Sequence, residues 1–202
     1  MSQLKVLVLA LILCLPVVGW AADDMASAMV RNTSERMLTT LKERRAEIDR
    51  QPQLIYRLVR EIVVPHFDFQ RITQAALGRH WGQATPQQQM ELTNEFQQLL
   101  VRTYAKALLS YSGQDILYLP LRPGRDAGDV TVATQVQEAG APALAINYRL
   151  YLKGGDWKVY DLIIDNVSLI TNYRSSFANR IRTEGIDGLI QSLVQLNQGG
   201  RE

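Results

Sequence analysis

The order of apolar and polar positions divides the chain into a helical part, a strand part and a closing helical part. Ala26, Met29, Val30, Thr33, Met37, Leu41 and Ile48 recur mostly at steps of three and four, which predicts one long amphipathic helix. Its other face carries Arg31, Glu35, Lys42, Glu43, Arg45 and Arg50, a mixture of charges suited to water. Pro52 fits the first turn of a second helix, with apolar pairs at Leu54-Ile55, Leu58-Val59 and Ile62-Val63, and Pro65 ends it. Asp68 is placed to cap a short helix over 69–77 that Gly78 terminates. Thr85, Pro86 and Gln88 form a capping-box start for a helix over 86–111, and Gly113 stops it.

The period then changes from 3.6 to 2. Strands are expected over 116–121, 130–136, 144–152 and 157–164. Pro123-Gly124, Gly128, Gly140 and Gly154-Gly155 supply the turns between them, the last pair as a tight hairpin. Helical spacing returns over 172–182 and 186–196. Segregated helices and strands indicate an α+β domain, with helices packed on a twisted four-stranded antiparallel sheet.

Residues 1–21 read differently. Lys5 precedes an apolar run of about ten residues, too short for the roughly 20 needed to span a bilayer. Pro16 and then Gly19-Trp20-Ala21 complete the signature of a secretory signal peptide. Cleavage after Ala21 would remove Cys14, the one cysteine, leaving 22–202 as a single exported domain without thiol or disulfide chemistry. A soluble periplasmic protein is expected. Its net charge of +2 does not suit a nucleic-acid binder.

Catalytic motifs are missing: no nucleophile elbow, zinc-protease helix, P-loop or dinucleotide fingerprint is present. His66 with Asp68 could pair as base and orienter or as metal ligands, but Asp68 reads better as a helix cap. His80 sits in a loop after Gly78. Asp161 and Asp165 would lie about 13 Å apart along one strand, too far for a glycosidase pair. Asp165-Asn166 reads better as a strand end and turn. No catalytic residue, metal or cofactor is assigned.

What remains is apolar shape. The long helix offers Leu99, Leu100, Tyr104, Leu108 and Tyr111. The strands offer Ile116, Val132, Val136, Ile146, Tyr148, Leu150, Trp157 and Val159. These residues either fill a core or wall an incompletely filled apolar cavity, and periodicity does not separate the two.

A series of short blocks does. Leu77-Gly78-Arg79-His80-Trp81 is followed by Ala84-Thr85-Pro86-Gln87-Gln88-Gln89 and by Leu99-Leu100-Val101-Arg102-Thr103-Tyr104. Then come Tyr111-Ser112-Gly113-Gln114, Tyr148-Arg149-Leu150 and Trp157-Lys158-Val159-Tyr160-Asp161-Leu162. Asn172-Tyr173-Arg174-Ser175-Ser176-Phe177 and Gly185-Ile186-Asp187-Gly188-Leu189-Ile190 close the series. In this order, behind a signal peptide, the chain resembles the MlaC family of toluene-tolerance auxiliary proteins. Asp165-Asn166 stands where that family would have Glu-Gly.

The resemblance implies a cone-like fold and a periplasmic carrier that moves phospholipid between the outer and inner membranes to maintain outer-membrane asymmetry. Acyl tails would lie within the inward residues named above. The implied partners are an outer-membrane lipoprotein–porin complex and an inner-membrane ABC transporter with an MCE-domain ring. A monomer is expected. An exposed phosphate needs only one or two cations, for which Arg149, Lys153 and Arg174 are candidates. A pocketed enzyme and a protein adaptor with a filled core are the competing readings.

Overall fold

The computed structural model describes residues 18–199 apart from 125, 127 and 139, so most of the expected signal peptide lies outside the described residues. The helices are α1 (Val18–Glu43), α2 (Arg45–Arg50), α3 (Leu54–Ile62), α4 (Phe69–Leu77), α5 (Pro86–Leu109) and α6 (Leu169–Gln198). Between α5 and α6 come β1 (Asp115–Tyr118), β2 (Arg122–Pro123), β3 (Val130–Gln137), β4 (Leu144–Lys153), β5 (Asp156–Ile164) and β6 (Val167–Ser168). The α+β class expected from the patterning is the one observed.

Local chemistry sets several boundaries where the sequence places them. The Asp68 carboxylate accepts a 3.0 Å hydrogen bond from the Arg71 amide at the start of α4. Thr85 and Gln88 form the reciprocal capping box of α5, with Pro86 at its first helical position. The expected long first helix is instead broken. Arg44 leaves helical geometry (φ −103°, ψ 16°) and its guanidinium turns onto Glu47 in the first turn of α2. The two closing helices expected over 172–182 and 186–196 are both present within α6, separated at Gly185, whose non-helical φ of 74° and ψ of −177° favour a residue without Cβ.

The sheet is antiparallel in the order β1-β3-β4-β5-β6, with β2 also paired to β3. It thus has six strands, where four were expected. β2 and β6 are two residues each and too short to show a period. β6 closes on β5 through Asp165 and Asn166, both with positive φ, as a turn at that pair requires. Leu150 pairs with Val159 and Arg149 with Asp161, which leaves Tyr160 as an extra residue in β5, a β-bulge.

Three hydrophobic clusters hold these elements together. One joins α4, the first part of α5 and α6 around Phe96, whose ring meets Tyr173 and Phe177 edge-on at 4.8 and 4.9 Å. A second joins α1, α2 and α3 to the last part of α5 through Met37, Ile55, Leu58, Val101 and Ala105. The third packs Ala26 and Val30 of α1 against Val130, Val132, Leu150 and Trp157 of the sheet.

Candidate functional site

The three clusters do not close on one another. Between them lies a cavity of about 490 Å³, within the range of small-molecule sites. Each cluster contributes to its wall: Ile72, Leu100 and Leu169 from the first, Met37 and Val59 from the second, Val30 and Val159 from the third.

Helical periodicity positions two of the walls. Met29, Val30, Thr33, Met37 and Leu38 form a stripe on α1. Leu100, Tyr104, Leu108 and Tyr111 form the facing stripe on and just beyond α5. The third wall is one face of the sheet. Register places Val136 opposite Leu144 and Tyr148 opposite Leu162, and all four border the cavity with Ile116 and Ile146. At the rim stand Ser110 and Gln114 beside β1, and Glu138 and Pro142 between β3 and β4.

Nine of the inward residues named from the sequence line this space: Leu100, Tyr104, Leu108, Tyr111, Ile116, Val136, Ile146, Tyr148 and Val159. Val132, Leu150 and Trp157 do not. They lie in the same stretch of sheet that α1 covers with Ala26 and Val30, so there the face is filled core. Leu99 is also displaced from the cavity and packs against the α4–α5–α6 cluster, one helical position away from Leu100. Patterning missed the contribution of Met29, Met37, Val59 and Phe67. The α1 and α3 stripes were legible, but nothing in a stripe tells whether its partner is a side chain or a space.

The cations expected at a headgroup are used elsewhere. Arg149 is ion-paired with Asp161 at 3.0 Å. Lys153 donates to Asp68 at 2.7 Å, a carboxylate that also accepts from the Tyr151 hydroxyl. Arg174 donates to the Ala75 carbonyl at 2.7 and 3.1 Å and so ties α6 to α4. None of the three lines the cavity. The reason is alternation: Arg149 and Lys153 share the face of β4 opposite Tyr148 and Leu150.

Few polar groups face inward. Tyr148 bonds to Thr134 and Ser34, and burial raises its pKa to about 12, so it stays neutral. His66 lines the cavity with its pKa lowered, by burial first and then by Lys158 and Arg36. Its neighbour in sequence, Asp68, caps α4 rather than orienting it. His80 bonds to Gln83 through Nδ1 at 3.0 Å. Asp165 accepts from the Ala145 amide at 3.2 Å. No group of three His, Cys, Asp or Glu side chains suited to a metal occurs among the described residues.

Comparison with known proteins adds three likenesses. The chain is 22% identical over 177 residues to the "Intermembrane phospholipid transport system binding protein MlaC" of Haemophilus influenzae, covering 86% of this chain and 83% of that one. It is 26% identical over 160 residues to "Toluene tolerance protein ttg2D" of Pseudomonas putida, covering 79% and 74%. A solved phospholipid-binding protein from Ralstonia solanacearum, in complex with a phospholipid, superposes with a TM-score of 0.79 at 37% identity, covering 86% of this chain and 97% of that one. The family model described as MlaC protein matches residues 31–195, and with this match the chain belongs to the MlaC family.

Proposed function

We propose that this protein is a periplasmic phospholipid carrier that moves lipid between the outer and inner membranes and so maintains outer-membrane asymmetry. The observation that carries the reading is the cavity: about 490 Å³, walled chiefly by aliphatic and aromatic side chains, and free of lysine and arginine among its lining residues. Acyl tails occupy it and the headgroup stays at the rim. Leu100, Tyr104, Leu108, Tyr111, Ile116, Val136, Ile146, Tyr148 and Val159 are the tail contacts. Its partners are an outer-membrane lipoprotein–porin complex and an inner-membrane ABC transporter with an MCE-domain ring. The polypeptide is made with a signal peptide over 1–21 and acts as a single domain over 22–202.

Energetics suit a carrier. Two tails of roughly 16 carbons at about 0.8 kcal/mol per CH₂ give about 25 kcal/mol relative to water. That exceeds the practical affinity ceiling of about 21 kcal/mol, so water is the wrong reference. Lipid in a bilayer is already out of water. Transfer into an apolar cavity is therefore close to neutral, and the partners set the direction.

The test is native mass spectrometry of protein exported and purified without detergent, followed by lipid extraction. A stoichiometric mass shift matching phospholipid is expected. A clean unliganded mass that persists after incubation with lipid vesicles would overturn the reading.

A further inference from the structure

The charged groups that line the large cavity are wrong for a phosphate. Glu138 at the rim repels it, and Asp161 is an anion already paired with Arg149. His66 is held toward its neutral form. An anionic headgroup seated over this cavity must find its counter-charge outside the lining.

A second cavity of about 420 Å³ adjoins the first and shares Leu108 and Tyr111 with it. Lys42 and Arg45 line this space, along with Ser112 and Gly113. The Lys42 ammonium stands 6.0 Å from the centre of the Tyr111 ring, and no carboxylate pairs with it among the described residues. Arg45 is fixed in place: Nη1 donates to the Tyr111 carbonyl at 3.1 Å and to the Leu109 carbonyl at 3.4 Å, and Nε meets Asp49 at 3.0 Å. Among the described residues Lys42 is thus the cation of this space without a carboxylate partner, and Arg45, whose charge Asp49 already meets, stands beside it. Arg45 is a guanidinium already ordered against the end of α5, and Lys42 is a mobile point charge. Both are exposed, so a bound phosphate gains charge-assisted hydrogen bonds without the penalty of deep charge burial.

We propose that Lys42 and Arg45 form a phosphate-binding site that holds the phosphodiester of a lipid whose tails pass Leu108 and Tyr111 into the large cavity. This assignment rests on the carrier reading above. It gives the headgroup a fixed side of the rim.

The full exported chain, stripped of lipid, is offered phosphatidylglycerol or diacylglycerol of the same tails, each from a cyclodextrin complex. Lys42→Glu is expected to weaken phosphatidylglycerol retention about tenfold, the worth of one charge-assisted contact. Diacylglycerol loading is unchanged, and Lys42→Arg restores phosphatidylglycerol. Competition by millimolar inorganic phosphate would assign the site to phosphate as such. A Lys42-dependent advantage that free phosphate cannot displace assigns it to the tail-anchored phosphodiester. Equal phosphatidylglycerol retention by wild type and Lys42→Glu overturns the site while leaving the carrier intact. Equal loss of both lipids in Lys42→Glu also overturns it, because the residue then acts through shape. A wild-type protein that takes up neither lipid overturns the carrier and this site together.

Discussion

Arg149 and Asp161 meet across β4 and β5, with Nη1 and Oδ2 3.0 Å apart and only 15% and 1% of the respective side chains exposed. The same carboxylate accepts from the Ser168 hydroxyl at 2.8 Å and from the Ile170 amide at 3.3 Å. Ser168 is itself the N-cap of α6. One buried anion therefore fixes the sheet to the start of the last helix. Arg149→Met should leave that anion unpaired and lower stability by about 3–5 kcal/mol. The double variant Arg149→Met/Asp161→Leu should lose less than the two single losses added. Urea unfolding of the four proteins measures the coupling.

The two ends of the inner sheet face should respond oppositely to substitution. Ile146 and Leu108 border the cavity, whereas Leu150 is fully buried under α1. Leu150→Ala should cost about 2–5 kcal/mol of stability. Ile146→Glu or Leu108→Glu should leave a folded protein that no longer retains lipid, because each sets a charge against the tails. Circular dichroism melts together with lipid extraction separate the two effects. A folded Ile146→Glu protein still carrying lipid removes Ile146 from the tail-binding wall.

Asp68 should make stability pH-dependent on the acid side. Burial acts to raise its pKa, but hydrogen bonds from Lys153, Tyr151 and the Arg71 amide outweigh it, and the carboxyl lies below its usual 3.8. A carboxyl depressed in the folded state contributes stability that is present above the unfolded value and lost as pH falls through the folded one. The stability difference between wild type and Asp68→Asn should hold steady above about pH 5 and shrink below pH 4. Chemical denaturation across pH 2–6 measures it. A difference independent of pH would mean that Asp68 acts only as a helix cap.

His66 has the same sign by a different route. Burial, Lys158 and Arg36 all lower its pKa, so the unfolded chain takes up a proton first as pH falls below 6.5. Stability should therefore decline from that point downward, and His66→Gln should flatten the slope just below pH 6.5.

Loss of the Thr85 cap is a local test. Thr85→Ala should destabilise the protein by about 1 kcal/mol and leave lipid retention unchanged, since the cap lies at the end of α5 remote from the cavity stripe. A thermal melt and a lipid assay on the same preparation check both halves.

How much of this was legible follows from the range of the forces involved. The Asp68 cap, the Thr85–Gln88 box and the turn at Asp165-Asn166 are settled within a few residues, and sequence shows them directly. The break at Arg44 is a departure of one residue's φ and ψ from helical values, which periodicity does not register. β2 and β6 exist only because β3 and β5 offer them edges. The cavity is harder still, since Val132 and Val136 share one face of β3 and only the position of α1 makes the first core and the second wall. Arg149, Lys153 and Arg174 were identifiable as cations, but the acceptors that claim them, Asp161, Asp68 and the Ala75 carbonyl, come from 12, 85 and 99 residues away.

The extra residue at Tyr160 resets the alternation of β5 midway. Val159 and Leu162, three apart, both border the cavity, while Asp161 turns its carboxylate to Arg149. In an unbroken ladder the residue sharing the face of Val159 would be Asp161, and its carboxylate would project into the cavity. The extra residue thus gives positions 159 and 162 one face. Leu162 borders the cavity, and the carboxylate of Asp161, which also touches it, is held by Arg149. A bulge also sharpens local twist, so the irregularity that sorts these residues bends the wall they line.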